Sequence, residues 1–192
     1  MKMKIPRLLL IPLCLTMLVL STAGFRGCSA EEKRSVAQNV TTGLSIAARA
    51  VPPGIETVRA LRVAGKIEPA TSRKLAEGAL EVNSAASRLT QAALEGADAQ
   101  TLAGQLDTLL DLAQGLQRDG TLHIKNEGTR LVFDLSVIVA KNGLAVALRD
   151  LKQEGVAFTL DDDTRARLGE LKTAFEQNDR LLRNALAGLP SP

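Results

Sequence analysis

The sequence predicts an all-α protein: an antiparallel bundle of about five to six helices, four long and two shorter at the N-terminal side, after an N-terminal signal peptide. Three observations carry this. Apolar residues recur at alternating spacings of three and four along most of the chain, the period of a helix face and of a bundle seam. Pro and Gly punctuate these stretches. Past residue 27, a single short segment, Thr121 to Lys125, alternates apolar and polar residues in the manner of an extended link.

Residues 1–27 read as an export signal. Lys2, Lys4 and Arg7 make a basic start, Leu8 to Leu20 an apolar centre, and Ser21 to Gly24 a small-residue exit. The apolar run falls short of the ~20 residues of a membrane span. Pro6 and Pro12 also disfavour a straight helix there. Cleavage after Ala23 fits an ordinary signal peptidase, and Ala30 offers a second exit. A lipoprotein route competes. Gly27-Cys28-Ser29 resembles the end of a bacterial lipoprotein box, with departures at Phe25, where Leu is usual, and Arg26, where a small neutral residue is usual. The resemblance implies lipidation of Cys28. Cys14 leaves with the signal, so Cys28 would otherwise be a lone thiol in an oxidising compartment. Residues 28–35 are then a polar tether and 36–189 a single helical domain.

The first helix, 31–51, carries Val36, Val40, Leu44, Ala47 and Val51 on one side. Pro52-Pro53-Gly54 is expected to end it, because proline lacks a backbone donor and disfavours helix in the residue before it. A short helix follows from about Ile55 to Ala64, closed by Gly65. Pro69 suits the first turn of a helix to about Glu95, whose seam is Leu75, Ala79, Val82, Ala86, Leu89 and Ala93. The next helix, about 98–118, repeats the pattern with Leu102, Leu106, Leu109, Ala113 and Leu116, and Asp119-Gly120 reads as a turn.

Asn126 is placed as the N-cap of a helix to about Lys152, with Glu127 favourable in its first turn. Phe133, Val137, Ala140, Leu144 and Leu151 share one face; Leu131, Leu135, Ile138, Val139 and Val146 cover much of the rest. A helix polar along only one stripe, here Arg130, Asp134, Lys141 and Lys152, is expected at the centre of a bundle. Asp161 opens the last helix, with the seam Leu168, Leu171, Phe175, Asn178, Leu182, Ala185 and Leu189. Asn178 stands where an apolar residue is expected, as a polar residue that fixes register does.

Composition excludes several functions. The chain of 192 residues carries 24 basic and 21 acidic side chains, net +3. Residues 1–27 hold four of the bases and no acid, so the remainder has 20 basic and 21 acidic residues, net −1. No basic field remains to attract nucleic acid. There is no Trp or Tyr, and Phe133, Phe158 and Phe175 are the aromatics past the signal, too few for stacking platforms. His123 is the one histidine and has no cluster of metal ligands around it in sequence; Asp161-Asp162-Asp163 lacks the spaced acids and glycine of a calcium loop. Ser84 and Ser136 have no histidine in sequence context, and no phosphate-binding, dinucleotide or nucleophile-elbow motif occurs. Lys141-Asn142-Gly143 reads as a kink or a close helix crossing.

No catalytic residue, cofactor or metal is therefore expected. The sequence points to an exported bacterial protein, periplasmic or membrane-anchored in the cell envelope. It would be tethered to the membrane by a lipid on Cys28 and act through contacts with an envelope protein; the alternative is a periplasmic carrier of a lipid or other apolar ligand. If Cys28 is lipidated, the membrane-bound product made in a bacterial host should begin at Cys28 and carry acyl mass by intact-mass spectrometry. A product beginning at Gly24 or Glu31 with no added mass would rule that out.

Overall fold

In the computed structural model the described residues are 36–125, 127–153 and 158–189, and they form five α-helices. These are α1 (Val36–Val63), α2 (Pro69–Leu94), α3 (Ala99–His123), α4 (Glu127–Leu151) and α5 (Asp162–Ala187). No strand occurs among the described residues. None of the described helices is long and apolar enough to cross a membrane. Cys28 and Asn126 lie outside the described residues, as do the side chains of His123 and Ser136.

The helices close a ring. α2 packs on α3, α3 on α4 and α4 on α1, while α5 fills the groove between α1 and α2, which also touch each other. The core is built from the predicted seams: Val40, Leu44, Leu89, Leu102, Leu106, Leu109, Leu168 and Leu182 are fully buried, and Phe175 is 1% exposed. Burying each such side chain is worth about 1.5–3 kcal/mol.

Helix ends follow their local chemistry. Asp98 accepts the Thr101 N–H at 2.7 Å and Asp161 accepts the Thr164 N–H at 2.6 Å, so each caps a helix start. α1 and α2 end in left-handed glycines, Gly65 (φ 64) and Gly96 (φ 82). At both, paired bonds such as Lys66 N–H to Leu61 O (2.8 Å) and Ala97 N–H to Ala92 O (3.0 Å) tie the turn back to the helix.

Three expectations are corrected. First, Pro52-Pro53 does not end a helix: α1 is one 28-residue helix that contains both prolines. Pro52 has no N–H for the carbonyl of Ala48, its partner four residues earlier. That carbonyl instead receives the side-chain amide of Asn178, buried on α5, at 2.9 Å. Pro53 frees the carbonyl of Arg49, a residue on the exposed side of α1, where water can take it. Second, Asp119-Gly120 is not a turn; α3 continues to His123. Gly120 is there for space, since a Cβ on it would overlap the ring of Phe133 in α4.

Third, α4 is not central. Among the described helices it packs on α1 and α3 alone, and Leu131, Leu135, Ile138, Val139 and Val146 are exposed. Its approach to α1 is close because two glycines face each other: a Cβ on Gly43 would lie 2.9 Å from the Gly143 carbonyl oxygen. Asn39 adds a polar tie across the same pair of helices, donating to Asp150 at 2.6 Å.

Two measurements follow from these details. Asn178→Leu strands a buried carbonyl and should destabilise the fold by about 1–3 kcal/mol. In a Pro52→Ala background, which restores a backbone donor, the same substitution should cost much less; a double-mutant cycle by denaturant unfolding reads that coupling. The caps contribute to the acid response. Hydrogen bonds from Thr101 hold the Asp98 carboxyl below its ordinary 3.8, and hydrogen bonds from Thr164, first from its hydroxyl, do the same for Asp161. A depressed folded-state pKa contributes stability above the unfolded value and loses it as pH falls through the folded one. Unfolding midpoints should therefore fall below pH 3.8, and Asp98→Asn with Asp161→Asn, which keeps both caps, should flatten that limb.

Candidate functional site

The bundle is unequal along its length. The half that holds the start of α1, the α2–α3 turn and the start of α5 is tightly packed, with Val40, Leu44, Leu89, Leu102, Leu106 and Leu168 in one cluster. In the other half lie the end of α1, the start of α2, the end of α3, the start of α4 and the end of α5. There the facing positions are small: Ala50 and Gly54 on α1, Ala76 and Ala79 on α2, Ala113 on α3, Ala140 on α4 and Ala185 on α5. They leave a cavity of about 400 Å³.

Its wall is largely aliphatic. Val51, Ile55 and Val58 come from α1, Leu75 and Val82 from α2, Leu116 from α3, Phe133 and Val137 from α4, and Leu182 from α5. Polar groups are few, and the Thr57 hydroxyl is already spent on the Pro53 carbonyl at 2.8 Å. The exposed lining residues all lie on two helices: Glu56 and Arg59 on α1, and Leu181, Asn184 and Gly188 at the end of α5. The cavity therefore reaches the surface between the second half of α1 and the end of α5.

Two arginines hold that end of α5. Arg62 donates to the Gly188 carbonyl and Arg73 to the Leu189 carbonyl, both at 3.1 Å. Cations at these last carbonyls also complement the negative end of the helix dipole. Pro52 and Pro53 lie in α1 between the lining residues Val51 and Gly54, and Asn178 lies one turn before the lining residue Leu182. The bond that lets α1 pass its prolines thus also seats the cavity wall.

The other candidate residues are not gathered with this site. Asp161 caps α5 at the packed half, and Asp162 and Asp163 sit exposed in the first turn of that helix. Among the described residues, no group of three or more His, Cys, Asp or Glu side chains is placed to hold a metal ion. Asn83, not singled out from sequence, is buried on α2 and donates to the Phe175 carbonyl of α5 at 2.9 Å. It gives α5 a second cross-helix amide beside Asn178. Comparison with protein-family models, curated proteins and solved structures finds no match to this chain.

Proposed function

We propose that the protein is an exported helical-bundle binding protein, without catalytic chemistry, that takes an apolar ligand into the cavity between α1 and α5. The supporting observation is the cavity itself. Its volume of about 400 Å³ falls among small-molecule sites, which run from about 300 to 1,000 Å³ and are mostly apolar with a few polar groups. The ligand class that fits the wall is a hydrocarbon chain or a compact lipid-like molecule. Transfer of its apolar surface from water, at about 25 cal/mol per Å², supplies the affinity. With a lipid on Cys28, the chain would reach the membrane through residues 28–35. Val36, where α1 starts, lies at the end of the bundle away from the cavity.

A second reading, action through protein contacts in the envelope, is favoured by one observation: the large apolar side chains left exposed along α4.

The ligand reading is tested on protein isolated gently from envelopes. Native mass spectrometry should show a bound apolar molecule, and N-phenyl-1-naphthylamine should fluoresce on uptake and be displaced by fatty acid. Ala79→Leu with Ala140→Leu fills the cavity and should weaken probe binding at least about tenfold, by loss of more than ~1.4 kcal/mol. Helix content should be unchanged. Absence of both bound ligand and probe uptake in the native chain, or equal binding by the filled variant, would overturn the reading.

A further inference from the structure

α4 carries its polarity the wrong way round for a helix on the rim of a single bundle. Its charged stripe turns toward α3: Asp134 accepts the Thr121 hydroxyl at 3.0 Å and Lys141 donates to the Gln117 side chain at 3.1 Å. Lys152, just past its end, pairs with Asp107 of α3 at 2.7 Å. The outward face is apolar instead, with Leu131 59% and Leu135 50% exposed, joined by Ile138, Val139 and Val146. Together these five side chains present roughly 400 Å², in the range of the largest apolar patch of a typical monomer, which is often functional.

The order of residues along that face says what kind of surface covers it. Leu131, Leu135, Ile138, Asn142, Ala145 and Arg149 are spaced four, three, four, three, four, the seam of a helix that packs on another helix. Asn142 is exposed within that row. No charged residue occupies the face between its ends. At those ends stand exposed charges of opposite sign, Glu127 at the start of α4 and Arg149 near its end. Arg149 keeps 72% of its side chain exposed while contacting Asp150 at 3.3 Å.

We propose that α4 is a self-docking face: two copies of this chain pair α4 against α4, antiparallel, about a two-fold axis near Ile138 and Val139. Positions 127 and 149 lie equally far from residue 138. Antiparallel pairing therefore brings Glu127 of each copy to Arg149 of the other, whereas parallel pairing would face like charges at both ends. The helix dipoles also oppose in the antiparallel arrangement. The two patches together remove about 800 Å², and Asn142 with the flanking Glu127 and Arg149 bring the interface toward the ~1,200 Å² lower bound for specific pairs. A weak, reversible dimer is the consequence. The symmetric placement of the two end charges favours a second copy over a membrane surface or a different protein on the same face.

The test is photo-crosslinking of the full chain in living cells. p-Benzoylphenylalanine at position 139 should give an adduct of twice the chain mass that contains only this protein, and the same group at Arg180 on α5 should not. Glu127→Arg or Arg149→Glu alone should lower the adduct yield several-fold, and the double exchange should restore it; protein levels equal to the parent chain confirm that each variant folds. Adducts to another protein or to lipid, no adduct at position 139, or an adduct indifferent to the charge exchanges would overturn the proposal.

Discussion

One buried hydrogen bond decides the course of the chain. α1 meets α2, α4 and α5, so the bundle needs it as a continuous rod, yet two prolines sit in its second half. A proline inside a helix destabilises it by ~3 kcal/mol or more, through the lost donor and the clash of its ring with the preceding turn. Asn178 removes the first of these penalties by donating to the carbonyl that Pro52 leaves bare. Its burial at 4% exposure then ceases to be anomalous: the amide belongs in the seam because the acceptor lies there. α5 is positioned by the same contact, and the Asn83 bond to Phe175 sets its register against α2.

The hollow half follows from side-chain size rather than from any irregularity of backbone. A cavity wall lacks partner atoms on one side and forfeits their dispersion attraction. Occupancy by an apolar molecule would recover much of the loss, so any such binding would stabilise the fold through mass action. The arginine bonds to Gly188 and Leu189 keep the mouth from collapsing onto a frayed helix end.

Much of the fold was legible in the residues, because a seam is a local pattern and burial repeats it. Val40, Leu44, Leu89, Leu106 and Leu168 are where their spacing puts them. The errors arose where a distant residue overrides a local rule. Pro52 breaks a helix unless something across the core supplies the donor, and Asn178 lies too far along the chain for any window to connect them. Gly120 reads as a turn unless Phe133 is known to need its space. The cavity left a trace, alanines and glycines on facing seams, but the same composition builds tight crossings. Gly43 against Gly143 is tight and the Ala79 region is open, a difference that depends on three-dimensional distance alone.

The rotation of α4 about its own axis shows which constraint prevails when two compete. Burial of Leu131, Leu135 and Ile138 would favour turning the helix inward. Doing so would carry Gly143 away from Gly43 and swing Phe133 off Gly120, leaving bulkier groups at two contacts that admit no Cβ. It would also separate Lys141 from Gln117 and Asp134 from Thr121. Steric exclusion at backbone distance rises far more steeply than apolar burial falls, so the glycines set the rotation and the apolar face is turned out. A surface left exposed for that reason is an accident only if its sequence is unordered. On α4 it keeps heptad spacing and opposite charges at its two ends, so the same rotation that packs the helix also presents an ordered seam.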